Sequence, residues 1–304
     1  MNETFEQKLA RIEKTRKDWA TGDTARDAGL EEPKEVEVYK NISYGEYGEY
    51  SLLDVYRPKA AAGRILPVIV NVHGGGFFYG DKELYRFYAM QFAKGTDDAF
   101  FAVVNINYRL VPDYVYPAPL CDIAKVMEWI AKSKDAYGFD IDKVFVIGDS
   151  AGAQLAAQYA VIATNDKYAD IINIHHPKNV VIKGVSLACG LYDLASTDIR
   201  KAVESVDDYL DGTDLEAESL KFLDYIDENY PSTYIFSARE DFLRDAFEPM
   251  KRLINSRGGR ADGLIYGLDC DTPAYHVFHV DMRNPLGQKA DLDQIRFFEE
   301  KSRQ

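Results

Sequence analysis

Apolar positions divide the chain into an amphipathic start and a longer region of buried strands and helices. Apolar residues from Phe5 to Trp19 recur at roughly helical spacing among charged residues, which predicts one or two amphipathic helices in residues 1–30. Residues 36–42 and 50–56 then alternate between apolar and polar positions on either side of a turn-rich link. This alternation is typical of an antiparallel strand–turn–strand unit.

From residue 67 onward, short apolar runs alternate with helical segments. Runs of this kind are typical of strands that are buried on both faces of a parallel sheet. They lie at residues 67–72, 100–106, 144–147, 180–188, 231–237 and 263–267, with helices at about 83–93, 120–132 and 288–301. The pattern predicts an α/β fold with a mostly parallel central sheet of about eight strands, covered by helices on both faces.

The length of the chain and the distribution of its charged residues indicate the domain organisation. Residues 1–304 are expected to form a single domain, because α/β proteins of this length often do so. The acidic segment at about 193–229, with its scattered Leu, Tyr and Ile residues, predicts helical material outside the sheet. The net charge of −14 argues against nucleic acid and anionic membrane surfaces as partners.

Targeting signals and cysteine usage favour a cytoplasmic protein. The first ten residues lack the apolar core of a secretory signal, and no apolar run approaches the ~20 residues that span a bilayer. Cys121, Cys189 and Cys270 contain no C-x-x-C pair, so we expect buried free thiols in a reducing compartment. The sequence does not decide the oligomeric state and is compatible with a homo-oligomer.

The stretch from Val144 to Tyr159 carries the main chemical signal. An apolar strand pattern passes into an Ala-, Gln- and Leu-rich helix pattern at Gly148-Asp-Ser-Ala-Gly152, with no residues left over for a loop. The motif G-x-S-x-G between a strand and a helix is the nucleophile elbow of α/β-hydrolases. Ser150 is therefore the candidate nucleophile, at the carboxyl edge of the sheet and the positive end of a helix.

A serine nucleophile needs donors for an oxyanion, and a glycine-rich stretch offers them. His73-Gly-Gly-Gly76 directly follows a predicted buried strand, and glycines let backbone N–H groups converge without obstruction by side chains. The N–H of Ala151, next to the nucleophile, would complete an oxyanion hole. A phosphate loop is the alternative, but Phe77-Phe-Tyr79 stands where such a loop carries Lys and Ser or Thr.

The base must come from one of five histidines. Chain order in α/β-hydrolases is Ser, then Asp or Glu, then His, which excludes His73 and gives it a local role in holding the glycine loop. The pair at 175–176 precedes a strand and is interpreted as a surface connection. His276 and His279 both follow the last predicted strand; His276 is preferred and His279 is kept as the alternative.

The orienting acid should follow the strand that ends near Ser237. Glu240, Asp241 and Asp245 supply three carboxylates there. Asp241 lies nearest the strand end at a turn position, whereas a carboxylate at 245 would stabilise the start of the following helix on structural grounds. Asp241 is therefore the preferred acid.

Taken together, these motifs resemble the motif series of hormone-sensitive-lipase-like esterases, a branch of the α/β-hydrolases. The series consists of His73-Gly-Gly-Gly, Asn107-Tyr-Arg-Leu-Val-Pro, Gly148-Asp-Ser-Ala-Gly and Asp241-Phe-Leu-Arg-Asp, and its order and spacing match from about residue 50 to 300. The family's His-Gly-Phe and Asp-Pro-Leu correspond here to His276-Val-Phe and Asp241-Phe-Leu.

The resemblance implies an α/β-hydrolase fold and a set of roles. Ser150 would be the nucleophile, Asp241 the acid and His276 the base, and the N–H groups of Gly74, Gly75 and Ala151 would bind the oxyanion. Family members hydrolyse small, usually short-chain carboxylic esters without cofactor or metal. They carry a helical cap whose positions match residues 1–30 and about 193–229 here.

Two other functions remain to be distinguished from that of an esterase. An amidase or formamidase acting on small aromatic amides would use the same three residues, and the 21 tyrosines would suit an aromatic pocket. A ligand-binding protein on the same fold would be expected to lack part of the Ser–His–Asp set, which is complete here.

Overall fold

A single twisted sheet organises the protein. The computed structural model describes residues 3–96 and 99–304, and within them the sheet has nine strands. They are β1 (Val36–Ser43), β2 (Leu52–Pro58), β3 (Leu66–Val72), β4 (Ala102–Ile106), β5 (Phe139–Asp149), β6 (Ile182–Ala188), β7 (Ser232–Ala238), β8 (Ala261–Asp262) and β9 (Ile265–Tyr266). The strand order is β1-β2-β4-β3-β5-β6-β7-β8, with β9 also paired to β7.

Helices connect the strands and cover the sheet. They are α1 (Phe5–Asp27), α2 (Arg86–Lys94), α3 (Ala118–Tyr137), α4 (Ala151–Thr164), α5 (Asp166–Ile172), α6 (Thr197–Ala202), α7 (Ser205–Tyr209), α8 (Phe247–Ser256) and α9 (Pro285–Ser302). Short 3₁₀ turns fill several of the remaining connections. Among the described residues, no helix is both long and apolar enough to cross a bilayer.

Strand direction follows the sequence pattern. β1 and β2 are antiparallel to their neighbours, and every pairing from β4 through β3, β5, β6 and β7 to β8 and β9 is parallel. The predicted mostly parallel α/β-hydrolase sheet is confirmed. The carboxyl ends of β3, β5, β6 and β7 consequently lie along one edge, where ligands of open α/β sheets bind.

The core lies on both faces of the central strands. In β3, Val68 and Val70 face a cluster that includes α3 and α4, while Ile69 between them faces a cluster built on α2 and α9. Because both faces are covered, β3 and β4 read as continuous apolar runs. This is why their positions were visible in the sequence.

The carboxyl-terminal third departs most from expectation. The single strand predicted at 263–267 is replaced by two two-residue strands, β8 and β9, on the edge of the sheet. The acidic insert at 193–229 contains α6, α7 and two 3₁₀ turns rather than longer helices. The prediction of buried thiols is wrong for Cys270, which is exposed, whereas Cys189 is buried; both are unpaired.

Candidate active site

Ser150 lies at the corner between β5 and α4, with φ 50° and ψ −118°. Few non-glycine residues adopt a positive φ, so the corner is strained and is held by its surroundings. A Cβ on Gly148 would lie 2.3 Å from the carbonyl oxygen of Gly152, and one on Gly152 would lie 2.1 Å from that of Val72. The two glycines are required because the backbone of the corner is packed this closely.

His276 connects the serine to a carboxylate. Its Nε2 lies 3.0 Å from Ser150 Oγ, and its Nδ1 lies 2.7 Å from Asp241 Oδ1. These distances place three side chains, far apart in the sequence, in one hydrogen-bonded chain. With the ring proton on Nδ1 donated to Asp241, Nε2 is free to accept the serine proton.

Backbone bonds keep His276 next to Asp241. The N–H of Glu240 donates to the carbonyl of Ala274 at 2.8 Å, and Glu240 and Tyr275 form a parallel β-bridge. Asp241 follows β7 and His276 follows Tyr275, so this bridge aligns the two segments just before each functional side chain. Asp245, the competing carboxylate, has a side chain that is 99% exposed and lies away from this arrangement.

Asp241 is buried and accepts several hydrogen bonds. Burial acts to raise its pKa, but donation from His276, from Ser237 Oγ at 2.6 Å and from the Leu243 N–H at 2.9 Å outweighs burial, so the pKa is lowered. The carboxylate therefore stays ionised. Ser237, which the sequence analysis did not single out, orients the Asp241 carboxylate from the end of β7.

The surroundings of His279 make it unsuited to act as a base. It is fully buried, neither ring nitrogen has a hydrogen-bond partner among the described residues, and it packs edge-on against Tyr88 and Phe236. Burial lowers its pKa to about 3, so it stays neutral. It is a core residue.

The residue just after His276 also has an unusual backbone conformation. Val277 adopts φ 53° and ψ 31°, in the left-handed region that a β-branched residue rarely occupies. This is the position at which the resembling family carries glycine. The backbone turn after His276 thus needs a left-handed residue, and this chain supplies it with valine.

The glycine loop meets the elbow at the ends of β3 and β5. The N–H of Gly74, expected to bind the oxyanion, donates instead to Asp149 Oδ1 at 3.1 Å and to Tyr85 Oη at 3.2 Å. The N–H groups of Gly75, Gly76 and Ala151 have no acceptor among the described residues. The donors that remain available therefore include Gly76, which the sequence analysis had not named, and leave out Gly74.

His73 holds this loop as expected. Its Nδ1 lies 2.7 Å from the carbonyl oxygen of Gly74, and its ring stacks on Tyr108, whose hydroxyl donates to the His73 carbonyl at 2.7 Å. Burial lowers the pKa of His73 to about 4, so the ring is neutral. A neutral, fully enclosed ring is suited to positioning the loop.

Asp149 is a second residue whose role was not visible in the sequence. Its Oδ2 accepts from Tyr85 Oη at 2.8 Å, so the carboxyl joins the elbow, the glycine loop and the start of α2. Burial raises its pKa to about 6, against the opposing influence of these hydrogen bonds and of nearby His276.

A cavity of about 360 Å³ opens in front of Ser150. Trp19 and Asp23 of α1 form one wall, and Val203 and Ser205 of the acidic insert form another. The ring centre of Phe242 lies 4.4 Å from that of His276. Both segments that the sequence analysis assigned to a cap thus contribute to the lining.

One group in the described residues could hold a metal ion. Sγ of Cys189 and ligand atoms of Asp241 and His276 lie within 4.8 Å of one another. The carboxylate and the imidazole are already joined by their short hydrogen bond, so a metal there would compete with the Ser150–His276–Asp241 arrangement.

Known proteins resemble the chain in sequence and fold. The sequence profile of the BD-FAE family matches residues 53–245. Versiconal hemiacetal acetate esterase of Dothistroma septosporum is 42% identical over 106 residues, which are 35% of this chain and 31% of that protein. Arylacetamide deacetylase of Oryctolagus cuniculus is 34% identical over 108 residues, which are 35% of this chain and 27% of that protein. The chain therefore matches about a third of the length of these curated relatives.

Structural similarity extends over almost the whole chain. Esterase B from Lactobacillus rhamnosis superposes with a TM-score of 0.89 at 23% identity, covering 99% of this chain and 97% of that one. At this identity the match establishes the fold.

Proposed function

Because this chain belongs to the BD-FAE family of hormone-sensitive-lipase-like α/β-hydrolases, we propose that it is a carboxylesterase that hydrolyses small esters through an acyl-enzyme on Ser150. One observation carries the proposal: the hydrogen-bonded chain from Ser150 Oγ through His276 to Asp241, in front of a cavity. That arrangement activates a serine for attack on a carbonyl carbon.

In the proposed first half-reaction, His276 Nε2 takes the proton of Ser150 while Oγ attacks the ester carbonyl. The oxygen that becomes negative would be bound by the N–H groups of Gly75, Gly76 and Ala151, which have no other acceptor among the described residues. His276 then gives its proton to the leaving alcohol oxygen. Water attacks the acyl-enzyme by the same steps in reverse and releases the carboxylic acid.

Asp241 acts through the base. Its lowered pKa keeps it ionised, so a negative charge lies beside Nδ1 when the ring becomes an imidazolium. This stabilises the charged ring and fixes its orientation. Arg26 on α1 is held by Asp23 and Asp27, each at 2.8 Å, so no unpaired cation from that helix faces the cavity. We therefore propose neutral esters as substrates.

We propose that residues 1–30 and 193–229 act as a cap on a single domain, since α1 and the insert both supply walls of the cavity. A cavity of about 360 Å³ suits short acyl groups. We also propose a cytoplasmic location, supported by the unpaired thiols. Fractionation of cells expressing the natural chain would test it, and recovery with the membrane pellet or the secreted fraction would contradict it.

Ser150→Ala provides the direct test. The variant should fold like the parent, lose 4-nitrophenyl acetate hydrolysis and fail to react with a fluorophosphonate probe. Ser196→Ala, outside the cavity, is the matched control and should retain both activities. Hydrolysis by Ser150→Ala at the parental rate would refute the proposal.

Amide hydrolysis is the second candidate. It is favoured by the match to arylacetamide deacetylase and by the aromatic rings of Trp19 and Phe242 in the cavity. Phenyl acetate and acetanilide differ in the bond cleaved, so their kcat/KM values decide between the two functions. Each kcat/KM is divided by the rate of uncatalysed hydrolysis of the same compound. If the protein is an esterase, this normalised value should be larger for phenyl acetate than for acetanilide.

A further inference from the structure

Most polar side chains that line the cavity are already hydrogen-bonded within the protein. Tyr79 Oη donates to Asp23 at 2.6 Å, and Tyr85 Oη donates to Asp149 at 2.8 Å. Arg26 is held by Asp23 at 2.8 Å. These groups shape the cavity but have little capacity left for a substrate.

Ser205 differs from them. It is the first residue of α7, only 7% exposed, and lines the cavity, yet its hydroxyl has no hydrogen-bond partner among the described residues. The hydroxyl oxygen is not fully enclosed, so it can be reached from the cavity. A substrate that fills the cavity can therefore supply the hydrogen-bond partner that the protein does not.

The hydroxyl lies against the glycine loop. A Cβ built on Gly76 would come within 2.9 Å of Ser205 Oγ, and Gly76 itself has φ 58°. The acidic insert therefore places a hydroxyl next to a proposed oxyanion donor, and only glycine leaves room for it at position 76.

The geometry also decides which half of an ester would reach this hydroxyl. His276 must protonate the leaving oxygen, so the alcohol half lies on the side of His276 and Phe242. With the carbonyl oxygen directed at the glycine loop, the acyl half extends away from the base. Because Ser205 lies against Gly76 in this loop, we place it on the acyl side.

We propose that Ser205 is a specificity residue that hydrogen-bonds an oxygen atom on the acyl chain, and that the preferred substrates are small esters with an ether or hydroxyl oxygen close to the carbonyl. The inference rests on the proposed esterase function. An alkyl chain would cover the same hydroxyl without satisfying it, and sites that hydrogen-bond a substrate group discriminate against analogues that lack the group.

Two esters test the inference with a single atom changed. 4-Nitrophenyl methoxyacetate and 4-nitrophenyl butyrate have acyl chains of equal length, and an oxygen in the first replaces a methylene in the second. Each kcat/KM is divided by the alkaline hydrolysis rate of the same ester. Ser205→Ala should lower the methoxyacetate-to-butyrate ratio about 5- to 10-fold relative to the parent, the size of one ordinary hydrogen bond.

Controls separate this inference from the function on which it rests. Ser196→Ala, in the same insert but away from the cavity, should keep the parental ratio, and Ser205→Cys, with a weakly donating thiol, should fall between parent and Ala. An unchanged ratio in Ser205→Ala, or equal losses on both esters, would overturn the specificity role. Failure of the parent protein to hydrolyse either ester would instead overturn the esterase proposal.

Discussion

Asp149 provides a sharp test of the electrostatics of the site, because it is a buried carboxyl next to Ser150, the proposed nucleophile. It accepts hydrogen bonds from the Gly74 N–H and from Tyr85 Oη, and burial raises its pKa from the ordinary 3.8 to about 6. His276 and Arg26 favour the charged form from a distance but do not offset burial. Asp149→Asn removes the titration while keeping an oxygen that can accept from Gly74.

The sign and size of the expected effect follow from linkage. The folded state holds the Asp149 proton more tightly than the unfolded chain, so the stability that this group contributes is present below pH 3.8 and is lost as pH rises to about 6. A pKa difference of about 2 corresponds to roughly 3 kcal/mol. About 0.6 kcal/mol of this is already lost at pH 4, so between pH 4 and 6.5 the parent should lose roughly 2 kcal/mol of unfolding free energy relative to Asp149→Asn.

Urea unfolding followed by circular dichroism at pH 4, 5, 6 and 7 measures this difference directly. Comparison between the two proteins cancels the other titrating groups, which are common to both. Asp245→Asn is the matched control, since that side chain is 99% exposed, and its difference from the parent should stay flat over the same range. If the difference in unfolding free energy between the parent and Asp149→Asn did not change with pH, the Asp149 carboxyl would not be desolvated as the structure indicates.

Three further substitutions test individual residues. His279→Leu should retain esterase activity, because the buried ring has no hydrogen-bond partner within residues 3–96 and 99–304. It should also resist acid better than the parent, whose stability falls as pH drops below 6.5 toward the His279 pKa of about 3. Turnover and urea unfolding at pH 5 and 7 check both expectations, with His276→Leu as the inactive counterpart. Because Val277 has φ 53°, the Val277→Gly variant should be more stable than the Val277→Ala variant by about 0.5–1 kcal/mol. This reverses the usual order, in which Ala is more stabilising than Gly. Equal urea midpoints for the two variants would contradict backbone strain at this position. Phe242→Ala should raise KM for nitrophenyl esters about 3- to 10-fold while sparing ethyl esters, and equal effects on both would argue against contact with the leaving group.

Local signals made the elbow and the central strands predictable. The apolar run of β3 and the strand-to-helix junction at Ser150 are each encoded by one continuous stretch of sequence. The burial of the first and the backbone strain of the second both follow from the residues of that stretch. The preference for His276 over His279 could be argued only from chain position. The structure distinguishes the two histidines by burial. His279 is buried because the side chains of Tyr88 and Phe236, from distant parts of the sequence, pack around it.

The donors of the glycine loop could not be chosen from sequence. Three successive glycines look alike, and only the approach of Asp149 and Tyr85 from other segments engages the N–H of Gly74 and leaves Gly76 available. The edge strands β8 and β9 were equally hard to predict, because each is only two residues long and carries no periodic pattern.

The two halves of the site are held by different means. Val72 and Gly148 are paired in the parallel ladder of β3 and β5, so the glycine loop and the elbow leave adjacent central strands side by side. The sheet therefore fixes the spacing between Ser150 and the proposed oxyanion donors. His276 instead follows a long segment after β9, held by the Glu240–Tyr275 bridge and by a left-handed Val277. Changes in that segment should therefore lower kcat by displacing the base, while the proposed oxyanion donors stay in place.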